Sequence, residues 1–85
     1  MTITASPVTA LTEVILDLLI TKYEAPAGTT PQTAFELLGY DSLVLVEVAV
    51  DLTRRFGVEI TDDELHQAGT TAKAAQVLAD RGVRA

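Results

Sequence analysis

Between Val8 and Tyr23 apolar side chains return every three or four residues, at Val8, Leu11, Val14, Ile15, Leu18 and Leu19. Glu13, Asp17 and Thr21 lie opposite them. That spacing is the period of an α-helix with one buried stripe, whereas a half-buried strand would alternate. Ser6 and Pro7 provide an N-cap and a first-turn residue for it. A chain of 85 residues has room for a single core, so whatever else folds must pack against this stripe.

The remaining segments read as helices and their breaks. "EAPAGTTPQT", residues 24–33, has two prolines, a glycine and several threonines, and is a long irregular loop for so small a domain. "AFELLG" reads as a short helical turn stopped by Gly39, with Phe35 and Leu38 as its anchors. A second long helix starts at Asp41 or Ser42 and runs to Phe56, where Gly57 ends it. Helical steps of 100° put Leu45, Val48, Ala49, Leu52 and Phe56 on its buried face. Glu47, Asp51, Arg54 and Arg55 form a polar stripe roughly opposite. Leu43, Val46 and Val50 make an apolar flank beside that stripe, suited either to another helix of the domain or to a partner or cargo.

"VEI", residues 58–60, reads as a brief extended link. Thr61 and Glu64 have the spacing of a capping box, which opens a short helix. Thr70 or Thr71 caps a final helix that ends at Gly82 and buries Val77, Leu78 and Ala74. The expectation is an all-α fold: a small four-helix bundle of three longer helices and one short one, with a long loop after the first. It forms one domain over residues 1–85, with residues 1–6 and 83–85 expected to be flexible.

Composition narrows the function. Hydrophobic residues are 48% of the chain, too many for a disordered tail. Twelve acids against six bases give a net charge of −6, the wrong sign for neutralising nucleic-acid phosphates. Charged partners should therefore present basic patches. No cysteine is present, so there is neither a disulfide nor a thiolate nucleophile. "MTITASP" lacks the pattern of a signal peptide, and "VILDLLI" is broken by Asp17 and too short to span a bilayer. The expectation is a cytoplasmic protein that binds no membrane.

Ser42 raises the chemical question. A hydrolase triad could be written with His66, but the G-x-S-x-G elbow is missing, and a small bundle offers little concave volume. His66 itself reads as a solvated surface residue. One histidine with scattered acids gives no metal-ligand spacing, and Gly39 stands without the companions of a phosphate loop. The location is more telling. Asp41 suits the N-cap, so Ser42 falls at the first helical position, at the positive end of the helix dipole. A phosphodiester attached there would meet free N–H groups.

"LGYDSLVLVEV" followed by "FGVEITDDEL" resembles the acyl carrier proteins over nearly the whole chain. The Asp-Ser-Leu tripeptide, the long preceding loop, F-G-x-E-I starting fourteen residues after the serine and the acidic segment after it carry the likeness. The resemblance implies that Ser42 is the attachment site of 4′-phosphopantetheine, with Gly39, Asp41 and Leu43 as its motif neighbours. It further implies that a phosphopantetheinyl transferase loads the group from coenzyme A and that acyl groups ride on its thiol as thioesters. On this reading the protein is a carrier, a substrate of its enzymes rather than a catalyst. Leu43, Val46, Glu47, Val50 and Asp51 become contacts for partners or cargo. Those partners would be a ketosynthase, acyltransferase or other pathway enzyme with a basic docking patch, and the carrier itself a monomer.

Within the family, "LGYDSL" looks most like the free-standing carriers of bacterial polyketide synthases. Val44, Arg54 and Arg55 depart from the strongly acidic second helix of fatty-acid carriers. Gly39-Tyr40 departs from the motif of peptidyl carriers. A start at Met1 and an end just past the last helix suit a discrete protein. Fatty-acid and peptidyl carriers remain the alternatives within the class, and a carrier-like interaction module with an unmodified Ser42 is the alternative outside it.

Overall fold

The computed structural model describes residues 7–84. Among these residues four helices follow one another: α1 Pro7–Lys22, α2 Ser42–Phe56, α3 Asp62–Ala68 and α4 Thr71–Asp80. The all-helical bundle expected from the periodicity is what forms. α1 packs along α4, α2 along α3, and α3 against α4. Leu11, Ile15 and Leu19 of α1 are fully buried, as are Leu52, Leu65, Ala74, Ala75 and Leu78. The expected cap at Ser6 and the expected flexibility of residues 1–6 lie outside the described residues.

The helix ends fall close to where they were expected, and the structure adds their detail. α1 stops at Lys22 without a glycine: Glu24 takes the left-handed conformation (φ 61°), and Ala25 N–H donates to Leu19 O at 3.0 Å. This satisfies a carbonyl of the last turn at the cost of strain that glycine would not have. Thr70, not Thr71, caps α4, its hydroxyl accepting from Lys73 N–H, while Thr71 is fully buried. Ala75 joins the core in place of Val77, which is only half-buried, and Phe56 too sits at the core's edge. Val83 is buried and its N–H donates to Leu78 O at 3.1 Å, so the expected flexible end does not include it.

The link after α2 is not a strand, yet it is firmly held. Thr53 Oγ1 donates to Ile60 O at 3.3 Å and accepts from Ile60 N–H at 3.2 Å, while Ile60 itself is buried. The capping box at Thr61 and Glu64 is present. Glu64 also accepts from Arg81, whose guanidinium reaches Glu59 O at 2.7 Å and thereby joins the end of α4 to the start of α3.

Candidate functional site

The segment before Ser42 is built as a clamp. Phe35, 3% exposed, plugs into the core, and its N–H donates to Gly69 O at 2.8 Å. Ala34 pairs with Thr70 in an isolated bridge, and Pro31 O accepts from Ala72 N–H at 3.0 Å. The loop after α1 is therefore fastened to the junction of α3 and α4. Residues 34–39 then form one helical turn, with Leu37 N–H donating to Ala34 O and Gly39 N–H to Glu36 O.

Gly39 reverses the chain with φ 76°. Apart from the glycine and its two chain neighbours, nothing lies within 4 Å of where a Cβ would sit, so the backbone conformation alone calls for glycine. Gly39→Ala should cost about 1 kcal/mol, read as a lower urea midpoint with an unchanged slope. An unchanged midpoint would show that the turn relaxes to another conformation. Tyr40 next stacks on Phe35 with ring centroids 6.2 Å apart, and its hydroxyl donates to Tyr23 O at 3.1 Å.

Asp41 is the N-cap: its backbone is extended (φ −85°, ψ −177°), and Oδ1 accepts from Val44 N–H at 3.0 Å. Ser42 is the first residue of α2, exposed, and its hydroxyl bonds to no other described residue. At a helix start the first N–H groups have no carbonyl partner within the helix. Asp41 takes that of Val44, which leaves those of Ser42 and Leu43 for a ligand. A free hydroxyl beside two unpaired N–H groups at the positive end of a helix fits a phosphodiester. A cavity of about 550 Å³ adjoins this point, lined by Phe35, Gly39, Asp41, Leu45, His66 and Gly69. His66 is exposed and makes no hydrogen bond with Ser42.

The apolar flank of α2 does not pack on a neighbouring helix. Leu43 is 68% exposed, Val46 41% and Val50 44%, with Glu47 exposed beside them. Leu37, at 81%, is an exposed apolar residue that sequence reasoning missed; it falls on the outer side of the turn whose inner side carries Phe35.

Asp51 has partners within the domain. It is half-buried, and its carboxylate accepts from the Tyr23 hydroxyl and pairs with Lys22 Nζ at 2.9 Å. These bonds tie the end of α1 to the middle of α2. The sequence hid this because Lys22 and Tyr23 lie 28 or more residues away along the chain.

That tie predicts a dependence on pH at both extremes. The Tyr23 hydroxyl, with help from Lys22, holds the Asp51 carboxyl below the ordinary carboxylate range. A lowered acid adds stability above its unfolded pKa of about 3.9, and that stability is lost as pH falls through the folded value. Burial first, and then Asp51, raise the Tyr23 phenol. A raised phenol adds stability below its unfolded pKa of about 10, lost as pH climbs beyond it. Tyr23→Phe should flatten both edges of the stability profile and cost about 1–2 kcal/mol near neutrality. A profile parallel to that of the wild type would show that the hydroxyl does not engage Asp51 in solution.

Comparison with known proteins agrees with this geometry. The family described as "Phosphopantetheine attachment site" matches residues 13–78, from within α1 to near the end of α4. The mitochondrial acyl carrier protein of Dictyostelium discoideum is 32% identical over 62 residues, covering 71% of this chain. The chain spans about half, 52%, of that relative's length. No solved structure gives a significant match. The match runs through all four helices and takes in the exposed serine at the start of α2, and on that ground the chain belongs to the acyl carrier protein family, whose domain is the site of covalent 4′-phosphopantetheine attachment.

Proposed function

We propose that Ser42 is the residue that carries 4′-phosphopantetheine and that the protein transports acyl intermediates between enzymes of a biosynthetic pathway. The observation that carries this reading is the unengaged Ser42 hydroxyl at the first position of α2, beside two N–H groups without helical partners. When bound, the group supplies a thiol on a long arm, able to hold acyl chains as thioesters.

Each residue of the site has one task. Ser42 Oγ is the acceptor atom. Asp41 fixes the start of the helix, Gly39 turns the chain so that the serine faces outward, and Leu43 begins the apolar surface next to it. No base among the described residues bonds to the serine, so the loading enzyme must remove its proton. Family members are carriers and not catalysts, which fits this division of labour. We place the protein as a monomer in the cytoplasm, loaded by a phosphopantetheinyl transferase and served by ketosynthases, acyltransferases or related enzymes.

For the pathway we favour polyketide or related secondary-metabolite synthesis. Val44, Arg54 and Arg55 support it, because they dilute the acidic character of α2. A fatty-acid carrier is the second reading, favoured by the likeness to an organellar acyl carrier protein.

The test is the intact mass after incubation with coenzyme A, Mg²⁺ and a broad-specificity phosphopantetheinyl transferase. A gain of one phosphopantetheine is expected. No gain by folded protein would leave the unmodified interaction module as the better account. The rate at which the loaded carrier serves a polyketide ketosynthase against a fatty-acid ketosynthase would then separate the two pathways.

A further inference from the structure

The exposed face of α2 is a ridge of mixed charge. At 100° per residue, Leu43, Val46, Glu47, Val50 and Arg54 fall within about 100° of arc. Leu43, Val46 and Val50 give it an apolar crest. Grooves run on both sides. One of about 360 Å³ faces α3 and is lined by Val46, Ala49, Val50, Arg54 and Ile60. The other, of about 240 Å³, faces α1 and is lined by Tyr23, Val46, Glu47, Val50 and Asp51.

The charges along the ridge are not those of the molecule as a whole. The net charge of −6 favours partners with basic surfaces. Asp51 contributes little to that attraction, since Lys22 and Tyr23 already engage its carboxylate. This leaves Glu47 as the attractive charge near the middle of the ridge and Arg54, two turns further on, as a charge of the opposite sign. Arg54 is exposed and makes no hydrogen bond or salt bridge with a described residue. A cation near the C-terminus of a helix is favourable in itself, but Arg55 meets that need equally. What distinguishes Arg54 is its angle: it sits on the ridge, with Arg55 about 100° further round.

We infer that Arg54 sets partner specificity: the enzymes this carrier accepts place a carboxylate opposite Arg54 and a basic group opposite Glu47, and Arg54 turns away enzymes whose docking surface is basic throughout. Twelve residues of helix set Arg54 about 18 Å along the axis from Ser42. A docking patch of ordinary size, about 800 Å² on each partner, spans that distance. A repulsive charge placed within the patch is a common means of rejecting wrong partners.

The inference rests on the carrier reading, and its test separates the two. The probe is a phosphopantetheinyl transferase with a uniformly basic docking surface, assayed at low salt by the rate of mass gain. Arg54→Glu should raise kcat/KM on the order of tenfold, through KM and with kcat little changed, and the gain should shrink as salt is added. Arg55→Glu alters net charge equally and should have a clearly smaller effect. Circular dichroism confirms that both variants are folded. An unchanged or lower kcat/KM in Arg54→Glu overturns the inference, as does an equal gain in both variants, which would mean that net charge and not position is read. Failure of the carrier reading looks different: the wild type would then gain no mass even with the broad-specificity enzyme.

Discussion

Ser42→Ala should gain no mass under conditions in which the wild type takes up one phosphopantetheine, while its circular dichroism and urea midpoint stay nearly unchanged. The loss should be complete because the modification needs an oxygen atom at that position, and neither Asp41 nor Leu43 offers a hydroxyl. The fold should survive because the serine has no structural bond to lose. Its hydroxyl engages no described residue, the cap belongs to Asp41, and the side chain is exposed. Alanine is also the best helix former, so the first turn should tolerate it. Residual loading of Ser42→Ala would move the attachment elsewhere, and peptide mapping of the modified protein would find it. Loss of helical signal would instead assign Ser42 a structural role.

Leu52→Ala should be the most destabilising of the substitutions considered. Leu52 is fully buried on the core face of α2 and belongs to the cluster formed with Ile15, Leu19, Leu65 and Leu78. Removing a buried leucine costs about 3 kcal/mol, part lost transfer energy and part the cavity left behind. Small domains have about 5 kcal/mol at the low end of the usual range, so most of the stability would go. Each kcal/mol moves Tm by about 4–8 °C at this size, giving a fall of at least about 12 °C in a thermal melt. A loss below about 1 kcal/mol would show that the bundle collapses around the gap or that Leu52 is not enclosed. Since Leu52 lies far from Ser42, the fraction that remains folded should load normally. The two variants therefore separate function from fold: one keeps the fold and loses loading, the other loses stability and leaves the acceptor intact.

Much of the fold was legible because its information is local. The spacing of Leu11, Ile15 and Leu19, the cap at Asp41, the stop at Gly57 and the capping box at Thr61 and Glu64 each depend on residues a few positions apart. Errors fell where a distant segment decides. Phe56 continues the apolar face of α2 in sequence, but the last turn runs to the edge of the core, so the ring is only half-covered. The loop was expected to begin at Glu24 and does, but its left-handed backbone and the burial of Ala25 after it depend on contacts the letters do not show. Val83 looked like frayed end because nothing local pins it; the close of α4 folds it back onto the core.

The candidate site divides in the same way. The helix that begins at Ser42, the cap that frees its N–H groups and the glycine that turns the chain before it are all readable in the letters, since short-range sterics and hydrogen bonding suffice for these. The apolar flank was visible in the letters, but whether it was covered was not, because exposure depends on where α1 and α3 lie. Helix packing leaves Leu43, Val46 and Val50 facing outward, and it is packing that brings Tyr23 and Lys22 to Asp51. Burial and long-range pairing are properties of helices brought together, and a single helix's periodicity carries no record of its neighbours.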